Sequence, residues 1–332
     1  MSGPHDHLVR FTFDHPERAA AELRAALPDF VVAEVDWTSL QPERGSVVDP
    51  ELRQTETDLL FSARLRGGRQ VLFYVLLEHQ SSVDRWMALR MLRYVVRQLE
   101  HGRQKNPGSE RLPVIIPLVM YHGPGGAWSA PRRVEELFDV PEEGAEPWRM
   151  LLPRFEYRLD DLTTEREEAL RARSGPPLVR LVLLALTYGR SEQLAQRLPG
   201  WSELFEQASQ APNGKEEVSA VFHYLLLVGG GAAKEATVDM LKSVVGARRT
   251  EELMSAWFEE HFEQGRQKGR DEGLAEGQAK ALLRILAVRG VQVDSKARQY
   301  ILSCTDLGTL ERWLERAVSA TRISDVLEDP VQ

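Results

Sequence analysis

The chain has 332 residues, of which 42% are hydrophobic and 28% are charged, a composition typical of a folded globular protein. Its formal net charge of −8 argues against a nucleic-acid-coating protein whose whole surface is basic, although a local basic surface would suffice for DNA binding. The single cysteine, Cys304, excludes an internal disulfide framework and fits a reducing cytoplasm. No apolar run approaches the roughly 18 residues that a membrane-spanning helix needs, so we expect a cytoplasmic protein without a membrane partner.

The N-terminal 50 residues predict one helix and one strand. The segment from Glu17 to Leu27 is amphipathic and is followed by Pro28, which is typical of a helix end. The next residues, FVVAEV, are rich in β-branched side chains and predict a strand.

A β-hairpin is predicted at the centre of this half of the chain. Two apolar runs, 59–65 and 71–77, flank the sequence RGGR, and Gly-Gly between such runs is a strong hairpin signal. Acids stand at the two outer ends, Asp58 before the first run and Glu78 after the second.

The register of the hairpin decides whether the two acids meet. A strict two-residue loop at Gly67-Gly68 would pair Asp58 with Leu77 and turn Glu78 to the opposite face. We expect instead a three-residue loop with a glycine bulge, and we expect it to pair Asp58 directly with Glu78. Directly opposed Cβ atoms lie about 5 Å apart, which suits two carboxylates that share one metal ion.

The second strand, VLFYVLL, is apolar on both faces and therefore predicts a central strand of a sheet. Gln80 follows Glu78 by two residues, so the two side chains point to the same side. Hard oxygen ligands at the end of a buried strand suit Mg²⁺ (or Mn²⁺), which also binds phosphate oxygens. The alternative is that Asp58 and Glu78 are strand-end acids that hold no ion.

A helix is predicted from Val83 to Glu100. Arg90, Arg93 and Arg97 recur on one face of it with Tyr94 beside them, and they form a basic stripe directly after the acids of the hairpin. Arginine suits phosphate because its planar guanidinium donates two hydrogen bonds at once. The alternative is a solvated face with salt bridges.

Leu112 to Tyr121 predicts the next strand, with Pro117 marking where its ladder bonding stops. A strand, a helix and a second strand in this order indicate a crossover unit and hence an α/β sheet. His122 follows the strand and would be a general base, a phosphate contact or a structural loop histidine.

The rest of the chain predicts helices. Residues 163–260 read as a helical extension that packs on the core, interrupted by Gly229-Gly230-Gly231. Glycines then recur every four residues at Gly265, Gly269, Gly273 and Gly277, which fits a self-association helix or a flexible linker. We expect a homo-oligomer formed through these C-terminal helices.

Several segments together resemble a known family. Asp58 followed by Glu78-His79-Gln80 resembles the D…(E)xK core of the PD-(D/E)XK phosphodiesterases, with Gln80 in the lysine position. The strings PHDHL, LLEHQSS, MALRMLRYVV and LPVIIPLVMYHG resemble the Rpn family of recombination-promoting nucleases, over roughly residues 4–188. The residues after 279 resemble a short helical domain of unknown function that often trails this family.

The resemblance implies roles for individual residues. Asp58, Glu78 and the backbone carbonyl of His79 would hold Mg²⁺, and Gln80 would orient the attacking water without the charge of a lysine. Asp6, in the His-Asp pair that resembles the family's N-terminal motif, would add an acid to the metal or would cap a helix. Alternatives by proximity in sequence are Asp49, Glu51 and Glu56.

These expectations define one architecture and one function. We expect a PD-(D/E)XK core of a central mixed sheet flanked by helices at 1–162, a helical extension at 163–260 and a small helical domain at 261–332. The expected function is a Mg²⁺-dependent DNA endonuclease with little sequence specificity, with Arg90, Arg93, Tyr94 and His122 as substrate contacts. The alternative is a catalytically silent protein that binds DNA or a partner as an accessory of mobile elements.

Overall fold

A computed structural model describes residues 3–43, 57–78, 83–123, 125–141 and 145–327, and at residues 57, 58, 76–78, 145, 256–269, 271 and 272 it describes the backbone only. The chain divides into two compact units, Met1–Thr250 and Glu251–Gln332. The sheet and the helical extension that follows it therefore belong to one unit.

A five-stranded mixed sheet forms the centre of the first unit. Its strands follow the chain order, β1 (Val35–Pro42), β2 (Thr57–Leu65), β3 (Gln70–Glu78), β4 (Val114–Tyr121) and β5 (Arg158–Asp161). The pairs β1–β2 and β2–β3 are antiparallel, whereas β3–β4 and β4–β5 are parallel. The predicted α/β class with a mixed sheet flanked by helices is confirmed.

Helices cover this sheet and continue beyond it. Before and within the sheet the chain forms α1 (Pro4–Phe13), α2 (Pro16–Ala26), α3 (Asp29–Glu34), α4 (Met87–Lys105) and α5 (Ala145–Arg149). After β5 it forms α6 (Glu167–Ala172), α7 (Pro177–Tyr188), α8 (Leu194–Arg197), α9 (Ser202–Ser209), α10 (Gly214–Val228) and α11 (Gly231–Val245). Short 3-10 turns lie at Val134–Leu137 and Leu198–Trp201.

The strand predicted at FVVAEV is wrong for most of its length. Residues 30–34 lie in α3, and only Val35 belongs to a strand. Pro28 precedes the helix in an extended conformation, and Asp29 stands in the first turn, where an acid favours the helix dipole. The indole Nε1 of Trp37 donates to the carbonyl of Val32 at 3.0 Å, a local side-chain contact that the sequence does not reveal.

Pro117 does not end the ladder of β4. The pairing with β3 runs through the proline, which faces Tyr74, and continues to Tyr121. On the other side of β4 the pairing with β5 begins at Leu118. Among the described strands, the first half of β4 thus has no neighbour on the β5 side. Pro117, which has no N–H group to donate, is tolerated there because no ladder bond is needed on that side.

The helical extension packs against the N-terminal helix as well as against itself. Eight of the nine residues from 178 to 186 of α7 are buried, the exception being Arg180, as expected for a helix enclosed by its neighbours. Helix α1 contacts both α7 and α10. The first turn of α1 is thereby held near the sheet by helices that follow it by some two hundred residues in the chain.

The second unit has a core of its own. It contains most of α12 (Ala247–Val288) together with α13 (Ser295–Ser303), α14 (Leu307–Ala317) and α15 (Ser324–Leu327). Leu282, Leu286, Ile301, Leu310 and Trp313 pack together in this core. Within the part of the chain that the structure describes, no helix is long and apolar enough to cross a membrane.

Candidate functional site

The carboxyl ends of three parallel strands meet at one edge of the sheet. Glu78 at the end of β3 is the ladder partner of Tyr121 at the end of β4, and Tyr121 is the partner of Asp161 on β5. His122 follows directly, so it lies next to the strand end that carries Glu78. In open α/β sheets this edge is the usual place for a ligand.

The hairpin has the expected three-residue loop but not the expected pairing. Leu65 N donates to the carbonyl of Arg69 at 2.7 Å, which closes the loop Arg66–Gly68, and Asp58 then pairs with Leu76. The predicted pairing of Asp58 with Glu78 is wrong by two residues, because it needs a three-residue loop at 67–69 and the observed loop lies one residue earlier in the chain. An offset of two keeps the ladder positions of Asp58 and Glu78 in phase, whereas an offset of one would not.

The remaining atoms of the predicted metal site lie outside the described residues. This holds for His79, Gln80 and the alternative acids Asp49, Glu51 and Glu56, and for the side chains of Asp58 and Glu78. Among the side chains that are described, no group of three or more His, Cys, Asp or Glu residues is arranged to hold a metal ion.

Two histidines from distant parts of the chain meet at this edge. The rings of His5 and His122 are 5.0 Å apart between centroids, and both side chains are buried. Nδ1 of His122 lies 3.1 Å from the carbonyl oxygen of Leu186, and because a carbonyl only accepts, Nδ1 carries the proton and donates. Nε2 of a neutral His122 is then the nitrogen that can accept a proton.

A tyrosine of the helical extension completes this group. The Tyr224 hydroxyl is hydrogen-bonded to Nδ1 of His5 over 2.8 Å, and the two rings meet edge to face. Burial raises the pKa of Tyr224, so its side chain remains a neutral phenol. The sequence motif PHDHL predicts a role for the N-terminus, but nothing in the sequence indicates that Tyr224 is the partner of its first histidine.

Glycine is required directly after His122. A Cβ atom at Gly123 would lie 2.4 Å from the Tyr121 hydroxyl oxygen, closer than side chains approach one another. The sequence YHG therefore has a packing reason for its last residue in addition to any chemical role of its histidine.

Asp6 performs the capping role that was the alternative to metal binding. The backbone N–H of Gly3 donates to Oδ2 of Asp6 at 3.0 Å, which fixes the N-terminus of α1. Asp6 is also buried, with 6% of its surface exposed. One carboxylate oxygen is thus committed to the helix, and the predicted contribution of Asp6 to a metal stays a prediction.

The three residues predicted to seat phosphate on α4 differ in exposure. Tyr94 is buried and stacks on Tyr74 of β3 with ring centroids 5.1 Å apart, so it belongs to the core between helix and sheet rather than to a phosphate-binding surface. Arg90 forms an ion pair with Asp84 at 3.0 Å and is largely buried. Arg93 is exposed.

A charged cluster at the end of β5 was not predicted. Nη1 of Arg173 contacts Glu22 of α2 at 2.7 Å, Nη2 contacts Asp160 of β5 at 2.7 Å, and Glu165 also pairs with this guanidinium. Burial, followed by the negative charge of Asp160, raises the pKa of Glu22 well above its usual value. The only sequence signal is the pair of acids that ends the strand in RLDD.

Taken together, the sheet and this edge define an α/β protein in which acids and histidines gather at the carboxyl ends of parallel strands, beside an arginine-bearing helix. Residues 3–216 match the sequence profile of the family described as "Putative transposase, YhgA-like". The chain belongs to this family.

Comparison with curated proteins confirms the predicted resemblance to the Rpn nucleases. Recombination-promoting nuclease RpnD of Escherichia coli O157:H7 is 36% identical over 126 residues, covering 37% of this chain and 46% of that protein. Recombination-promoting nuclease RpnC of E. coli K12 is 26% identical over 258 residues, 77% of this chain and 81% of that protein. The inactive recombination-promoting nuclease-like protein RpnE of the same strain is 30% identical over 141 residues, 42% of this chain and 46% of that protein. The matches to RpnD and RpnE each cover less than half of the relative, and no solved structure matches the chain.

Proposed function

We propose that the protein is a metal-dependent DNA endonuclease with a PD-(D/E)XK core and little sequence specificity. The observation that carries the proposal is the backbone register, which keeps Asp58 and Glu78 in phase at the edge of the sheet where His5 and His122 meet. The names of RpnD and RpnC as recombination-promoting nucleases support the same class of activity.

The donor chemistry at this edge fits a hard divalent cation. Asp58, Glu78 and the carbonyl of His79 would supply oxygen ligands to Mg²⁺ or Mn²⁺, which bind through one or two carboxylates and keep other positions for water and phosphate oxygens. When bound, the metal would offset charge that develops on phosphorus and make water a better nucleophile. Gln80 would orient that water by hydrogen bonding.

Contacts to the substrate backbone would come from α4 and from His122. Arg93 is exposed, whereas Arg90 would have to exchange its ion pair with Asp84 for a phosphate. Nε2 of His122 would accept a proton or a hydrogen bond at the edge of the site. Contacts of this kind position a substrate without reading its sequence, which is why we propose low specificity.

A second candidate is a catalytically silent protein that binds DNA or a protein partner. The name of RpnE as an inactive nuclease-like protein favours it, because RpnE is 30% identical to this chain over 141 residues. The uncharged Gln80 in place of a lysine favours it as well. For both candidates we propose homo-oligomerisation through the C-terminal helices. We also propose a cytoplasmic location, which the single Cys304 fits.

Plasmid nicking by the purified protein separates the two candidates. We would compare wild type with Glu78→Ala and Asp58→Ala in Mg²⁺ and in EDTA, with Glu100→Ala on the exposed face of α4 as a control that also removes one carboxylate. The nuclease requires metal-dependent nicking that both site variants lose and the control keeps. Equal nicking by wild type and the site variants would reject the proposed site, and no nicking together with salt-sensitive DNA binding would establish the silent binder.

A further inference from the structure

An open groove lies at the end of the sheet opposite the proposed active site. It has a volume of about 1180 Å³ and is lined by the C-terminal end of α4 and by the first residues of β3 and β4, including Gln70, Leu72 and Val114. We call it the basic groove, after the four cations that line it, Arg69, Arg103, Lys105 and Arg111.

These four cations are exposed and none of them forms an ion pair with an acid that the structure describes. Two acids, Glu43 and Glu110, also line the groove. The local balance is therefore positive in a chain whose formal net charge is −8. Unpaired cations concentrated in one concave surface raise the local concentration of polyanions.

Helix α4 and strand β3 set the distance between the basic groove and the edge of the sheet that carries Glu78. Helix α4 has 19 residues and begins near the edge that carries Glu78 and His122, while its last turns line the groove. At about 1.5 Å per residue the helix spans about 28 Å. Strand β3, which runs the opposite way from the groove to Glu78, spans a similar distance at about 3.3 Å per residue.

We propose that the basic groove is a second anchor for double-stranded DNA, holding the phosphate backbone roughly 8 base pairs from the site of cleavage, since consecutive phosphates are about 3.4 Å apart along the axis. The inference rests on the proposed nuclease function for the position of the substrate. A duplex too short to span α4 would reach only one of the two places. Exposed lysine and arginine side chains that line a groove suit a phosphate backbone and read no base.

Binding of two labelled duplexes in EDTA tests the anchor without cleavage. The variant Arg103→Glu/Lys105→Glu is compared with Lys296→Glu/Arg298→Glu, which makes the same change in net charge on exposed, unpaired positions of α13 in the other unit. For a duplex of about 24 base pairs we expect the groove variant to raise Kd about 10-fold or more and to flatten the dependence of log K on log salt by nearly 2. For a duplex of about 6 base pairs, which can occupy only one of the two places at a time, we expect a smaller change than for the long duplex. For the control variant on either duplex we expect a change of less than about 2-fold.

A second groove variant, Arg69→Glu/Arg111→Glu, changes the residue after the hairpin loop and the segment before β4 instead of α4, and we expect the same dependence on length. Thermal unfolding of each variant establishes that the fold is kept. The anchor is refuted if a folded groove variant binds the long duplex like the control, if both lengths are weakened equally, or if wild type does not bind the long duplex. Binding with this length dependence but without nicking in Mg²⁺ would refute the nuclease function and leave the anchor established.

Discussion

The imidazole rings of His5 and His122 lie 5.0 Å apart, one in the first turn of α1 and the other directly after β4. Each ring is held by the helical extension, His5 by the Tyr224 hydroxyl and His122 by the carbonyl of Leu186. The extension therefore does more than cover the sheet, because it sets the positions of two titratable groups beside the strand end that carries Glu78.

Replacing Tyr224 by phenylalanine should destabilise the first unit. The change removes the hydrogen bond to Nδ1 of His5 and leaves that nitrogen buried without its hydroxyl partner. We expect the free energy of unfolding to fall by about 1–3 kcal/mol, the usual cost of a buried polar group that loses its partner. Urea denaturation followed by tryptophan fluorescence measures the change.

The control is Tyr300→Phe in α13, which removes the same hydroxyl from an exposed tyrosine. It should change stability by less than about 0.5 kcal/mol, as exposed substitutions usually do. Equal effects of the two variants would mean that the Tyr224 hydroxyl does not support His5.

The positions of the acids could be predicted only in part from the sequence. The apolar runs and the glycines identify the hairpin, and the polar residues at its ends identify the edge of the sheet that carries the candidate site. The register could not be read, because Gly67-Gly68 is compatible with loops of two or three residues and each choice shifts Asp58 by one partner. The loop is decided by the hydrogen bond between Leu65 N and the Arg69 carbonyl.

Contacts between segments that lie far apart in the chain could not be predicted from the sequence. Tyr94 lies on the same helix as the arginines, but its ring stacks on Tyr74 in the core. Helical spacing alone places Tyr94 close both to the face that carries the arginines and to the face that packs on the sheet. Residues 30–34 have the composition of a strand, yet five residues are too few for composition to decide between a strand and a helix. The same limit applies to the contacts between Arg173 and its acids.

Replacing Arg173 by methionine should strongly destabilise the first unit. The guanidinium joins acids from α2, β5 and the segment after β5, and it has 8% of its side-chain surface exposed. Without it, buried Glu22 and Asp160 would face each other with no cation between them. We expect a loss of about 3–5 kcal/mol in the free energy of unfolding at neutral pH, typical of breaking a buried ion pair.

The comparison variant is Arg149→Met, which removes an exposed arginine whose ion pair with Glu146 lies on the surface at 3.2 Å. Such pairs contribute about 0–1 kcal/mol. A loss for Arg173→Met no larger than for Arg149→Met, measured by chemical denaturation at pH 7, would contradict the structural role of the cluster.

The raised pKa of Glu22 predicts a specific dependence of stability on pH. Between the pKa of the unfolded chain and that of the folded chain, the folded protein binds more protons at Glu22, so this residue's contribution to stability falls as the pH rises. Glu22→Gln removes that contribution while keeping an oxygen that can accept from Arg173. The difference in unfolding free energy, variant minus wild type, should therefore increase as the pH rises above about 4.5, the ordinary pKa of a glutamate.

Denaturation curves at a series of pH values measure this difference. Glu216→Gln, at an exposed position of α10, serves as the matched control and should give a curve parallel to that of wild type. A Glu22→Gln curve that is also parallel would show that Glu22 is ionised at all of these pH values and that burial does not shift its pKa.

Alanine substitutions at the two loop glycines test the register on which the proposed site depends. Gly68 has φ of +79° and no neighbour that a Cβ would meet, so Gly68→Ala should lose about 1 kcal/mol from backbone strain alone. Gly67 has no positive φ, and Gly67→Ala should be neutral or slightly stabilising because it restricts the unfolded chain. A two-residue type I′ loop needs positive φ at both glycines. If both variants were destabilised equally in urea denaturation, the shorter loop would be present, Asp58 would pair with Leu77, and the two acids would be out of phase.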